Sequence, residues 1–217
     1  MIDYPGKIAA VVFTQGCNFR CPYCHNPELV LPERFSQPIE EKEVFNFLNK
    51  RKGQIQGVVI TGGEPTLQGD LIDFLARIKE MGYCVKLDTN GSNPEILRKI
   101  IDLHLVDYIA MDIKAPLGKY SQLTSLKDCP ERVRQSIDII LRSQVSHEFR
   151  TTLAPPIVSQ EDLPQIVSFI KDAQKFRLQK FVLRDNVLDK ELMEKFRESI
   201  SDKEIARLQS LWGRDSG

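Results

Sequence analysis

The sequence predicts an α/β protein built on a parallel sheet, and three observations carry that expectation. Short β-type runs recur along the chain, stretches of helical periodicity separate them, and polar or thiol residues gather where the runs end. Strand–helix alternation of this kind favours parallel strands joined by right-handed crossovers. In chain order, strands are expected at 8–14, 57–61, 84–89, 108–113, 147–153 and 181–184. Helices are expected at roughly 40–51, 68–81, 94–104, 130–144 and 161–175. Asn93-Pro94 reads as an N-cap followed by proline at the first helical position. Ser201-Asp202-Lys203-Glu204 has the form of a capping box opening a last helix through Leu208, Leu211 and Trp212. About six βα units are too few for an eight-stranded barrel, which takes about 250 residues. An open barrel of six units and a doubly wound sheet both fit. No repeat or flexible linker divides the chain, so one domain is expected over 1–217, with a barrel at about 4–188 and a charged helical tail at about 189–217.

Composition narrows the function. Of 217 residues, 41% are hydrophobic and 28% charged, a globular balance that excludes disorder. Thirty basic residues offset thirty acidic ones, so no charge surplus points to nucleic acid or to an anionic membrane surface. The longest apolar run, 8–13, is too short to cross a bilayer, and the first six residues lack the features of a signal peptide. These readings predict a soluble, cytoplasmic protein with neither nucleic acid nor membrane as partner.

Strand alternation then sorts the polar residues. Ile109, Met111 and Ile113 share one face of the fourth strand, suited to packing under outer helices, which turns Asp112 and Lys114 inward. In the third strand Val85, Leu87 and Thr89 oppose Lys86, Asp88 and Asn90. In the fifth, Phe149, Thr151 and Leu153 oppose Glu148, Arg150 and Thr152. Most of these polar positions lie toward the carboxyl ends of their strands, where parallel α/β folds bind ligands. The first strand delivers a cysteine loop to that rim, the second delivers Gly62-Gly63-Glu64-Pro65, and Arg184, Asp185 and Asn186 are expected to end the sixth.

Five cysteines are present, and three of them, Cys17, Cys21 and Cys24, crowd into eight residues. Close thiolates repel one another unless a cation neutralises them, and a metal keeps them deprotonated. A structural zinc site needs four ligands; His25 adjoins Cys24, and neighbouring residues seldom both reach one small ion. An iron–sulfur cluster suits an all-thiolate set better, and three cysteines would leave one iron of a [4Fe–4S] cube open for chemistry. Cys84 and Cys129 read as small buried hydrophobes, and His104 and His147 as structural or surface histidines.

The Cys17-x3-Cys21-x2-Cys24 loop after a first strand, followed by Gly62-Gly63-Glu64-Pro65 after a second, resembles the radical S-adenosylmethionine (SAM) enzymes. Tyr4-Pro5-Gly6, Phe13-Thr14-Gln15-Gly16-Cys17, Cys24-His25-Asn26-Pro27-Glu28-Leu29, Asp88-Thr89-Asn90-Gly91 and Met111-Asp112-Ile113-Lys114 are similar to motifs of the glycyl-radical-enzyme activases. The stretch from Asp112-Ile113-Lys114-Ala115-Pro116 through Lys119-Tyr120 and Leu123-Thr124 is similar to the anaerobic ribonucleoside-triphosphate reductase branch. The likeness covers roughly 4–185. It implies an open (βα)6 partial TIM barrel.

The resemblance also implies a site. Cys17, Cys21 and Cys24 would hold one [4Fe–4S] cluster as metal ligands at the catalytic centre, with SAM on the fourth iron. Tyr23 matches an aromatic position beside the adenine, and Gly62, Gly63 and Glu64 match a segment whose backbone meets the SAM amino group. Asp88, Asp112, Lys114 and Arg150 match polar positions around the methionine and ribose. A monovalent-cation site near Asp88 and Asp112 occurs in related activases. The implied chemistry is reductive cleavage of SAM to a 5′-deoxyadenosyl radical, which takes a hydrogen from a glycine Cα of a partner glycyl radical enzyme, here anaerobic ribonucleotide reductase. Reduced flavodoxin or ferredoxin would supply the electron. Two features depart from many activases: Lys7 stands where arginine is common, and no second cysteine-rich insert follows the first motif. Alternatives are an activase of the pyruvate formate-lyase type, a small-molecule enzyme such as the 7-carboxy-7-deazaguanine synthase type, and a zinc-stapled binding domain without catalysis.

Overall fold

The computed structural model describes residues 3–196 and 200–215. Six parallel strands follow one another in chain order: β1 (Ala9–Thr14), β2 (Gly57–Gly62), β3 (Cys84–Thr89), β4 (Tyr108–Asp112), β5 (Ser146–Leu153) and β6 (Lys175–Lys180). A two-residue β7 (Arg214–Asp215) adds to β6 antiparallel. A doubly wound sheet reverses its strand order at a switch point, and a singly wound barrel does not. The sequential order therefore decides between the two architectures left open above. Strands β1 and β7 are the two ends of the sheet, so the barrel is open.

Helices α1 (Glu41–Lys50), α2 (Leu71–Glu80), α3 (Pro94–Asp102), α4 (Cys129–Arg142) and α5 (Leu163–Phe169) fill the crossovers. Their apolar faces meet the helix-facing side of the sheet in one cluster that includes Leu48, Leu75, Leu97 and Val133 with Ile60, Leu87, Met111 and Phe149. The other side of the sheet holds a small apolar plug of Tyr4, Val59, Tyr108 and Ala110. The expected faces of β3, β4 and β5 follow this division. Helices α6 (Lys190–Glu194) and α7 (Asp202–Trp212) come last. No helix among the described residues is long and apolar enough to cross a membrane.

Three expectations need correction. The sixth strand is Lys175–Lys180, not 181–184, and α5 ends at Phe169, so the helix expected over 161–175 overran the start of that strand. The sequence Lys-Phe-Arg-Leu-Gln-Lys alternates buried Phe176 and Leu178 with polar residues, a period of two that its charges obscure; the more apolar 181–183 run places Val182 in solvent. Arg184, Asp185 and Asn186 accordingly lie beyond the strand. Asn93 does precede Pro94 at the start of α3, but its side chain does not cap the helix; its Nδ2 donates to the Thr66 carbonyl at 2.9 Å and ties α3 to the loop after β2. The charged helical tail also packs into the core. Met193 and Leu208 are buried in the main core, and Gln209 of α7 accepts from the Leu178 N–H at 2.7 Å and donates to the Phe176 carbonyl at 3.1 Å, covering the outer edge of β6. The capping box forms as expected on its N-cap side, with Ser201 Oγ accepting from the Glu204 N–H.

Candidate active site

Backbone hydrogen bonds set the mouth of the barrel. Gly16 adopts φ +99°, which turns the chain out of β1 into the cysteine loop. Its N–H donates to the Leu29 carbonyl at 2.8 Å, and its own carbonyl accepts from the Glu64 N–H at 2.8 Å. Gly63 donates to the Thr14 carbonyl at 2.9 Å. A Cβ on Gly63 would stand 2.0 Å from the Gly16 oxygen, so only glycine lets the two loops touch this closely. The expected Gly-Gly pair is thus explained by packing between the β1 and β2 loops.

Farther along, the cysteine loop is pinned from three other directions. Arg20 N–H donates to the Leu123 carbonyl and Thr124 Oγ1 to the Asn18 carbonyl. Asn90 Nδ2 donates to Asn18 Oδ1 at 3.0 Å, and Asn18 Nδ2 to Ser92 Oγ at 2.8 Å. Leu188 and Asp189 donate their N–H groups to the carbonyls of Cys24 and Pro22. Tyr23, buried, donates its hydroxyl to the Lys114 carbonyl at 2.8 Å and so ties the loop to the end of β4. Asn18, Asn90 and Ser92 were not singled out from the sequence as positioning residues. Their signal was only that Asn90 lies within the strand-end motif.

These loops enclose a cavity of about 390 Å³ at the carboxyl ends of the strands. Nine of the eleven expected site residues line it: Cys17, Cys21, Cys24, Tyr23, Gly62, Gly63, Asp88, Asp112 and Lys114. Glu64 and Arg150 do not. Glu64 is fully buried and accepts four hydrogen bonds, from the Thr66 N–H and hydroxyl, the Thr89 hydroxyl and the Asn90 N–H, at 2.6 to 3.1 Å. Burial raises its pKa above the ordinary carboxylate value, and the four donors offset only part of that rise. Its side chain braces the loops after β2 and β3 from behind the cavity wall.

Arg150 stands behind Asp88 and Asp112. Its Nε donates to Asp112 Oδ1 at 2.7 Å, and both its terminal nitrogens donate to Asp88 Oδ2 at 3.2 and 3.3 Å. Strand register explains the reach: Asp112 pairs with Arg150, and Asp88 pairs with Ala110, whose methyl leaves the space between the strands clear. Lys114 Nζ holds Asp112 Oδ2 at 3.0 Å, and Lys86 Nζ holds Asp88 Oδ1 at 2.5 Å. Burial would raise the Asp112 pKa, but Arg150 and Lys114 outweigh it and hold the carboxyl well below the usual carboxylate range. Lys114 pays the same desolvation cost, and Asp112 overcomes it, keeping the ammonium charged. The cavity wall is therefore a fixed lattice of charges, assembled from β3, β4 and β5.

The three thiols line one cavity. Among the described residues no three His, Cys, Asp or Glu side chains are gathered closely enough to share one metal ion. Three thiolates on one loop suit an iron–sulfur cube better than a zinc site, which needs four ligands. The donor set fits as well: three sulfurs at one wall, with Cys84 at the opposite, amino-terminal end of β3 and Cys129 buried at the start of α4. Burial pushes the Cys21 thiol up to about 12 and raises Cys17, while the Lys114 ammonium pulls both the other way. His25 Nε2 donates to the Val182 carbonyl at 2.7 Å and its ring stacks on Phe181, which holds it toward the 181–186 segment. Tyr120 is a buried tyrosine packed edge-on against Phe19.

The family model of the radical SAM superfamily matches residues 11–170, from β1 past α5. The chain belongs to the radical SAM superfamily. A Methanocaldococcus jannaschii protein named as a glycyl-radical enzyme activating enzyme is 38% identical over 189 residues, covering 85% of this chain and 77% of its own length, which places the chain among those activating enzymes. A pyruvate formate-lyase-activating enzyme of Listeria monocytogenes is 35% identical over 140 residues, covering 59% of this chain and 56% of that protein. In fold, the chain is similar to Streptococcus suis SuiB bound to S-adenosylmethionine, with a TM-score of 0.67, 18% identity and 96% of this chain covered. It spans about half of the SuiB chain, 47%. The family brings with it an iron–sulfur cluster and SAM as cofactors and a glycyl radical enzyme as partner.

Proposed function

We propose that this protein activates an anaerobic ribonucleotide reductase by generating a glycyl radical on it, with Cys17, Cys21 and Cys24 as the cluster ligands. The observation that carries this reading is the meeting of three thiols with Asp88, Asp112 and Lys114 in one cavity at the strand ends. The cluster and SAM that these residues would hold would supply one-electron reductive cleavage of SAM, with the electron from reduced flavodoxin or ferredoxin, to methionine and a 5′-deoxyadenosyl radical able to take a hydrogen atom from the partner's glycine Cα. The chain's own residues supply the conditions. The pinned loop sets where the thiols stand, and Lys114 offers an ammonium to a ligand carboxylate. The Gly62–Gly63 backbone lines the wall, where a ligand amino group can approach without meeting a side chain. Tyr23 closes the side against β4 and excludes water. The open side between β1 and the β6–β7 edge gives a partner's loop a lateral way in. A monovalent cation is left out of this reading, because every oxygen of Asp88 and Asp112 already meets a protein cation.

The choice of reductase over formate-lyase rests on the stretch from Asp112 to Thr124; the Listeria relative supports the second reading. The test is anaerobic reconstitution, reduction with dithionite or reduced flavodoxin, addition of SAM, and quantification of 5′-deoxyadenosine, iron and sulfide. About four irons per chain and nucleoside formation that Cys21→Ala abolishes support the chemistry. Stoichiometric zinc without sulfide or nucleoside overturns it. Mixing with each client and recording the glycyl-radical doublet then separates reductase from lyase.

A further inference from the structure

Lys86 belongs to no motif and does not line the cavity, yet it is among the most buried charged groups of the described residues, 1% exposed. It lies on β3 between Val85 and Leu87, two residues before Asp88, so both side chains leave the same face of the strand. An ammonium is not carried into a barrel without a partner, because desolvation costs several kcal/mol. Its partner is Asp88: Nζ lies 2.5 Å from Oδ1, while the second oxygen of that carboxylate takes the two Arg150 contacts. On the neighbouring strand β4, Asp112 has Oδ1 on Arg150 and Oδ2 on Lys114. All four oxygens of the carboxylate pair therefore carry a cationic N–H donor. The same lattice continues to Glu148, which lies 3.9 Å from Arg150 and 3.3 Å from Arg177.

We propose that Lys86 is a tethered counter-cation for Asp88, a positioning residue that lets the cavity bind its ligand without an alkali-metal ion. A free ion at Asp88 would have to displace the ammonium or the guanidinium from an oxygen, and it would meet their like charge a few ångströms away. An ammonium resembles a potassium ion in charge and size, but here the chain holds it in register with the carboxylate it neutralises. The entropic cost of capturing an ion is thus met on folding. Asp88 stays aimed at the cavity in any salt. This inference rests on the reading of the cavity as a SAM site, and its test separates the two.

Reconstituted wild-type protein is titrated with SAM by calorimetry in potassium, sodium and choline chloride at one ionic strength, and the chain without cofactors is melted in the same three salts. The expected result is a Kd equal within about twofold and a salt-independent Tm. Lys86→Met is expected to weaken SAM binding at least about tenfold in choline, equivalent to 1.4 kcal/mol, with potassium or sodium restoring it saturably. A wild-type Kd or Tm that improves saturably with potassium or sodium over choline overturns the proposal. So does Lys86→Met binding that is unchanged in choline, or lost equally in all three salts, since that loss marks mere packing. Should the variant not fold, the wild-type series still decides. Absence of SAM binding by the wild type in every salt refutes the SAM reading instead, and the melts alone then decide the cation question.

Discussion

Gly63→Ala isolates the contact that seats the cysteine loop. The added Cβ would lie 2.0 Å from the Gly16 oxygen, 2.6 Å from the Gly16 carbonyl carbon and 2.9 Å from the Leu29 oxygen, and all three are backbone atoms. No side chain can swing aside. Regaining even the shortest tolerable separation of 3.0 Å needs the loops to part by about 1 Å. That movement breaks or bends the Glu64 N–H bond to Gly16 and the Gly16 N–H bond to Leu29, both 2.8 Å. Two strained backbone bonds, with their groups poorly placed for water, cost about 2–4 kcal/mol. For a chain of this size each kcal/mol lowers Tm by about 2–4 °C, so a fall of about 5–15 °C is expected. The thiols move with the loop, and iron retention should fall with them. Gly69→Ala is the control, because its Cβ meets nothing within 4 Å and its backbone has ordinary φ. Thermal melts and iron assays on both variants test the reasoning. A Gly63→Ala protein that melts like Gly69→Ala and holds full iron would refute it.

Three further outcomes follow from the same geometry. Ala110→Leu should fill the gap between Asp88 and Glu148, push Arg150 off Asp88 and raise the Kd for SAM about tenfold or more while the circular-dichroism spectrum stays native; an unchanged Kd would mean the Arg150–Asp88 bond does not shape the cavity. Asp112 has a folded pKa depressed below its unfolded 3.8, so its stabilisation is full above about pH 4 and is lost as pH falls toward its folded value. Urea titrations between pH 3 and 7 should show Asp112→Asn flattening that acid limb. His25→Ala should keep full iron per chain, since its ring serves the 181–186 segment; loss of metal would restore it as a ligand.

How far the sequence led depends on what kind of residue is considered. Strand faces were legible because apolar alternation in 84–89 and 108–113 has no competing explanation, and the observed burial of Val85, Leu87, Ile109 and Met111 follows it. The thiol loop was legible because its spacing has few uses. The sixth strand was not, because in Lys175–Lys180 the buried Phe176 and Leu178 alternate with charges while a more apolar run follows. Asn93 looked like a cap because local propensity favours it, but a tertiary contact with Thr66 claims its amide. Lys86 carried a faint signal: a lysine two residues before an aspartate, inside an otherwise apolar strand, already implies a buried pair. Glu64 was expected to contribute its backbone, and no separate role for its side chain was legible; the carboxylate braces loops from behind, meeting donors of Thr66, Thr89 and Asn90 that only folding brings together.

The bonds that pin the cysteine loop run mostly through carbonyls, amides and hydroxyls of Asn18, Arg20, Tyr23, Thr124 and Leu188 rather than through sulfur. The mould thus exists apart from what is cast in it. Loss and repair of an iron–sulfur core in such a mould become separable from folding: a core could be lost and rebuilt in place, without the chain unfolding or being synthesised anew. Survival of an air exposure would then be limited by the supply of iron, sulfide and reductant, and by whether the bared thiols escape oxidation, more than by refolding.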